Sequence, residues 1–177
     1  MADAHSERYE RPLFVPAARS FYATIREEIF SILSLDEKID RMLMQFGEFY
    51  ESTKLATRQN DLPRSTKDIS FRPERKYFEN FVRGQYVRID NRDWIQMPRG
   101  RVEMSKASSG QQEAVPLLFA ISRFPSLGRT LIIEEPEAHL FTSAQVAVLD
   151  FILKQCVTRE TDILFTTHSP YLSHPGR

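Results

Sequence analysis

Cysteine and glycine are scarce in this sequence of 177 residues, with one of the first and six of the second. The lone thiol, Cys156, cannot close an internal disulfide, and its place in an amphipathic helical pattern predicts a buried thiol rather than a redox group. Little glycine beside plentiful apolar residues excludes collagen-like and disordered classes. No apolar run approaches the ~20 residues needed to cross a bilayer, and the opening MADAHSERYER has no apolar signal-peptide core. No membrane partner is therefore expected, and the predicted compartment is the cytoplasm. Net charge is absent as well: 24 Lys and Arg face 24 Asp and Glu. That balance gives no bulk support to nucleic-acid binding, although Arg64, Lys67, Arg72, Arg75 and Lys76 gather locally. Asp68 and Glu74 interrupt that group, which reads as a solvated face or loop. No internal repeat is present, so a solenoid is not expected.

A chain of this length buries roughly 70% of the surface its unfolded form exposes, so a true core is expected. Residues 1–12 are polar and predict a disordered start, and Leu13-Phe14-Val15 is a short strand closed by Pro16. From Ser20, Phe21, Ile25, Ile29 and Ile32 or Leu33 recur at helical spacing, and Ile39, Met42, Leu43, Phe46 and Tyr50 continue it. The two runs predict a helical hairpin over about 20–53, broken near Leu35-Asp36. At this spacing Met42, Met44, Phe46, Phe49 and Tyr50 are read as core residues. Residues 54–76, with Pro63 and Pro73, read as a loop or insertion. Over 77–105 short β-type runs, Tyr86–Ile89, Trp94–Met97 and Val102–Met104, predict an antiparallel meander. From 106 to 172 the order becomes helix, strand, helix, strand, the pattern of a parallel layer in an α/β fold.

Three segments of that last region carry chemistry. Ser108-Ser109-Gly110-Gln111-Gln112-Glu113 precedes an apolar helical run. Ser109 is placed to cap it, with Gln112 closing a capping box. Such a helix start attracts anions, although most capping boxes bind nothing. Pro116 inside the run predicts a kink or a fresh start. In LIIEEPEAHL (131–140) a buried-type strand ends in Glu134 and Glu135. Carboxylates at the carboxyl end of a parallel strand can hold Mg²⁺ and accept a proton from water, or form only an exposed acidic turn. Thr142 and Gln145 then mark the start of a crossover helix, which leads to the strand Asp162–Phe165 and TTHSP (166–170). A right-handed βαβ unit with parallel strands brings His168 to the same edge as the two glutamates, where it could contact phosphate or serve only structure. A mixed metal site of Glu134, Glu135, Glu137, His139 and His168 is a further alternative.

Ser-Ser-Gly-Gln-Gln, LIIEEPEAHL and TTHSP, in that order, resemble the signature motif, Walker B strand with D-loop, and switch-histidine loop of ABC-type ATPases. The branch most similar is that of the overcoming-lysogenization-defect nucleases and related anti-phage ATPases. Phe14–Arg19 is more loosely similar to the strand and arginine turn opening the second half of such domains. The resemblance implies a partial P-loop NTPase domain over 13–177, using ATP and Mg²⁺. By that analogy Ser109, Gly110 and Gln111 contact the terminal phosphate held by an opposite subunit. Glu134 takes the Mg²⁺-coordinating position, Glu135 is the catalytic base and His168 the phosphate-sensing switch, and Arg19 is a further phosphate contact. Gln111 departs from the second signature glycine, and Glu134 stands where many relatives have aspartate.

A P-loop requires Gly-Lys-Ser/Thr, and no glycine here is followed by lysine. The resemblance therefore implies a nucleotide-driven dimerisation switch that hydrolyses ATP only with a P-loop-bearing half from elsewhere. Its context would be DNA maintenance or anti-phage defence. Self-association, a nuclease effector and nucleic acid are the further partners it suggests. A catalytically silent interaction module, or a truncated fragment, is the alternative. An incomplete parallel sheet should expose an edge and an apolar face.

Overall fold

The computed structural model describes residues 11–22, 40–60, 77, 79, 81–125 and 128–173. Residues 1–10, the first arm of the expected hairpin with its break near Leu35-Asp36, and the basic group at 64–76 lie outside them.

The three strands that read as buried form one parallel sheet. β1 (Leu13–Val15) pairs with β5 (Thr130–Glu134), which pairs with β6 (Asp162–Thr166), so β5 is central. The register sets Leu13 beside Leu131 and Ile163, and Val15 beside Ile133 and Phe165. Because side chains alternate along a strand, these six share a face. On it Leu13, Val15, Leu131 and Ile133 are core residues, and Ile163 and Phe165 pack against that core. The opposite face carries Phe14, Ile132 and Leu164 in a row across the strands. Phe14 and Ile132 are half-buried and Leu164 is 62% exposed. Parallel sheets are normally covered on both faces, and among the described residues this apolar row is open at Leu164 and half-covered at Phe14 and Ile132.

Asp40 starts the next helix, α1 (Arg41–Asn60), its carboxylate accepting from the amides of Met42 (2.7 Å) and Leu43 (3.4 Å). Phe46 and Tyr50, one turn apart, are buried, and Tyr50 meets Phe119 edge-on. Met42 and Met44 are instead half-exposed, one in the first turn and the other on the outer side, which corrects the expectation that both pack inward. The helix also runs through 54–60, read from sequence as loop. Its continuation is anchored by Lys54, 1% exposed, which pairs with Glu51 and with Asp93 (2.9 Å) on the neighbouring sheet.

That sheet is the expected meander: β2 (Gln85–Ile89), β3 (Arg92–Met97) and β4 (Gly100–Glu103), antiparallel in chain order. Asp90 and Asn91 join β2 to β3 with φ of 48° and 64°, a left-handed pair suited to a tight hairpin and to Asn. Residues 77, 79, 81 and 82 are helical, so the meander starts at Gln85 rather than at 77. Met104–Lys106 forms a 3₁₀ turn rather than strand. Tyr86 packs edge-on against Phe119, joining meander to core.

α2 (Ser109–Arg123) is the most buried helix, and it stays continuous through Pro116, so the helix is not started afresh there. Apolar packing along Val115, Leu117, Leu118 and Ile121, all fully buried, outweighs the single lost backbone hydrogen bond. α3 (Thr142–Thr158) crosses from β5 to β6 and buries Val148, Phe151, Ile152 and Cys156. The short α4 (Pro170–Ser173) follows β6. Among the described residues no helix is long and apolar enough to cross a membrane.

Candidate active site

β5 delivers Glu134 and Glu135 to the carboxyl edge of the sheet. Glu134 is the last strand residue, and its Oε2 accepts from the Ala17 amide at 3.0 Å, just beyond the end of β1. Glu135 leaves the strand with φ of 42°, a left-handed backbone that costs a non-glycine residue about 1–2 kcal/mol. Its amide still donates to Thr166 O at 3.1 Å, so the turn is pinned to β6 as the side chain swings out. Strain of this kind persists where surrounding structure over-determines it, and such places are often functional. From the loop after β6, His168 reaches back so that its Nε2 lies 3.3 Å from Glu135 Oε1. The imidazole is 88% exposed and the carboxylate 36%, so both groups face solvent and any incoming ligand.

Arg19 lies beneath this edge and is fully buried. Its guanidinium donates to the carbonyls of Pro16 (2.9 Å), Glu134 (2.8 Å) and Glu135 (3.0 Å), and its Nε faces Glu113 Oε2 at 3.3 Å. Glu113, from α2, also accepts from the amides of Arg19 (3.1 Å) and Ser20 (3.0 Å). Burial lowers the Arg19 pKa, and the carboxylates of Glu113, Glu137, Glu134 and Glu135 oppose that shift. The expectation that Arg19 contacts phosphate is thereby corrected: every described contact is internal, and it holds the Glu134–Glu135 backbone in place. Glu113, an acid inside an apolar helix, was the sequence signal for this pair.

Two caps also differ from expectation by one residue. Ser108, not Ser109, caps α2, and its reciprocal partner is Gln111 rather than Gln112. Gln111 Oε1 accepts from the Ser108 amide and hydroxyl, each at 3.1 Å, while its Nε2 donates to Val82 O at 2.7 Å. Gln111 thus ties the helix start to the segment before the meander, while Ser109 stands exposed on the first turn. Phe141 occupies the N-cap of α3 in place of Thr142, with no side-chain cap. Gln145 instead donates to Leu140 O (3.0 Å) and accepts from Ser169 Oγ (2.7 Å).

Glu135 and His168 are therefore brought together, with Glu134 at the same strand end turned to the Ala17 amide, whereas Ser109, Gly110 and Gln111 form a second element beside them. The link is the turn 135–140. A Cβ on Gly110 would lie 3.0 Å from His139 O, so the turn and the helix start touch backbone to backbone. His139 is itself left-handed, with φ of 60°. An open concavity lined by Glu79, Arg83, Gly84, Gln85, Gln96, Met97 and Pro98 shares no residue with this site.

Among the described residues no three Asp, Glu, His or Cys side chains converge as a metal site, so the mixed carboxylate–imidazole alternative is not formed. A single carboxylate such as Glu134 suits Mg²⁺, which keeps several waters and takes phosphate oxygens as its remaining ligands.

A family model described as "AAA domain, putative AbiEii toxin, Type IV TA system" matches residues 6–173. No curated protein matches the chain.

Proposed function

The chain belongs to this AAA-domain family, and from that premise we propose that it is one part of an ATP-hydrolysing switch, completed by a P-loop-bearing half. The observation carrying the proposal is the Glu135–His168 contact of 3.3 Å at the carboxyl edge of a parallel sheet, where α/β folds bind ligands. The sequence supplies no Gly-Lys-Ser/Thr, and the sheet supplies an apolar row, Phe14, Ile132 and Leu164, exposed at Leu164. Alternation puts Glu134 on the same face as Ile132. A phosphate-binding loop and its helix, seated on that row, would face Glu134 directly.

In the completed site Glu135 accepts a proton from the attacking water, and His168 donates to a terminal phosphate oxygen from the same edge. Glu134 is the residue that would hold Mg²⁺. Mg²⁺, when bound, neutralises the charge that develops on the phosphates. Ser109 and the first amides of α2 offer a second anion-binding end, suited to the phosphate on an opposing subunit. Closure and opening of that dimer is the proposed output, in toxin–antitoxin or anti-phage defence or in DNA maintenance. The resemblance to overcoming-lysogenization-defect proteins adds a nuclease as the proposed effector.

The test is steady-state ATP hydrolysis with Mg²⁺ by the chain alone and after addition of a P-loop-bearing half of an AAA-family ATPase. Turnover is expected only in the mixture, falling about 10²- to 10⁴-fold with Glu135→Gln. Glu135-dependent turnover by the chain alone would overturn the incomplete-site reading. Silence in both settings moves the assignment to a non-catalytic interaction module.

A further inference from the structure

Glu137 has no part in the mechanism above, yet its carboxylate gathers three donors from the loop after β6. Its Oε1 accepts from Thr167 Oγ1 (2.6 Å), the His168 amide (2.9 Å) and the Ser169 amide (3.1 Å). The residue is 8% exposed, and its Oε2 is buried with no hydrogen-bond partner among the described residues. The nearby charge of Arg19 lies close enough to act on it. Leaving a buried carboxylate oxygen unpaired costs about 1–3 kcal/mol or more, so the three bonds on the other oxygen must offset it.

We propose that Glu137 is a positioning residue: its carboxylate fixes the 167–169 backbone so that the exposed His168 imidazole is aimed at Glu135. This rests on the reading of Glu135 and His168 as the working pair. An imidazole that is 88% exposed cannot hold its own place. A solvent-facing pair of this kind contributes about 0–1 kcal/mol, too little to fix the rotamer and the loop together. Direction must come from the main chain. Two consecutive amides converging on one carboxylate oxygen fix the peptide planes on either side of the His168 Cα, and charge-assisted bonds are about twice as strong as neutral ones. Two further contacts tighten the same loop: Ser169 N donates to Thr167 Oγ1 at 3.0 Å, and Ser169 Oγ donates to Gln145 on α3. Glu137 lies in the turn that begins at Glu135 and reaches Gly110 through His139 O, so its carboxylate also connects the start of α2 to the His168 loop, beside the Gln145 bridge from Leu140 O to Ser169 Oγ.

The experiment reads the side-chain ¹⁵N signal of His168 in the full chain, assigned with His168→Gln, before and after Glu135→Gln. In the wild-type background Glu135→Gln should shift that signal. In the Glu137→Gln background the same change should shift it by less than half as much, and Thr167→Val should act in the same direction by removing one donor. Thr167→Ser, which keeps the hydroxyl, should restore the full response. An undiminished response in both Glu137→Gln and Thr167→Val overturns the positioning role while leaving the Glu135–His168 pair intact. No response in the wild-type background overturns the pair itself, and the positioning role with it. Thr167→Val decides the question if Glu137→Gln prevents folding.

Discussion

Replacing Arg19 by methionine separates a structural arginine from a ligand-binding one. The guanidinium is fully buried and Glu113 is 2% exposed, so the substitution leaves a carboxylate inside the protein without its counter-ion. Removing one partner of a buried pair costs about 3–5 kcal/mol. Glu113 would keep the Arg19 and Ser20 amides. Four carbonyls, of Pro16, Glu113, Glu134 and Glu135, would lose a donor. The first effect lowers the cost and the second raises it, leaving about 3 kcal/mol as the working figure. In a chain of 177 residues that is a fall in Tm of about 6–12 °C, or of about 1–3 M in the urea midpoint. Arg19→Lys should lie between wild type and Met, because a single ammonium cannot serve the carbonyl fork. Arg19→Met with Glu113→Leu should recover the part of the loss due to the stranded charge. Urea unfolding followed by circular dichroism measures all four. A loss below about 1 kcal/mol for Arg19→Met, accompanied by weakened nucleotide binding in the completed complex, would refute the structural role.

Burial pushes the Cys156 thiol up to about 11 from an ordinary 9.0. A raised native value means that the folded state favours the neutral thiol. The resulting stabilisation is whole below pH 9 and is lost as pH rises through 11. Reaction with a disulfide reagent at pH 8 should therefore be slow in the folded chain and fast in urea, and equal rates would contradict the burial. Leu164→Glu, at the exposed end of the sheet row, should leave the unfolding free energy of the isolated chain within about 0.5 kcal/mol of wild type and abolish assembly with a P-loop-bearing partner. Val157→Glu, on the exposed side of α3, should leave assembly unchanged, and equal effects of the two would remove the sheet face as the docking surface. Lys54→Met should cost about 1–3 kcal/mol in chemical unfolding, because Asp93 keeps Tyr86 Oη at 2.7 Å and so is not left alone.

Much of this architecture was legible because local chemistry and tertiary structure agree. The runs Leu131–Ile133 and Ile163–Phe165 could be placed as parallel strands, although the second is half-exposed rather than buried, and the intervening amphipathic pattern as their crossover helix. Those assignments sufficed to bring Glu135 and His168 to one edge. The meander, likewise, followed from alternation, while the exact place of its first turn, at the left-handed Asp90-Asn91, emerges only in the structure. Boundaries fared worse. Lys54 carries α1 onward because its charge is met by Asp93, 39 residues away, and Pro116 stays within α2 because packing on every side outweighs one missing hydrogen bond.

The sequence by itself determined which residues could do chemistry and in what order they occur, since apolar periodicity, strand ends and motif spacing are local properties. Tertiary structure alone decided what Arg19, Gln111 and Glu137 do. A buried arginine and a phosphate-binding one look the same in a sequence, and the difference lies in Glu113, 94 residues along the chain. Glu137 stands two residues after Glu135, yet its carboxylate is committed to Thr167, His168 and Ser169, about 30 residues further on. Long-range partners of buried charges are set by how elements pack, and no local pattern encodes them.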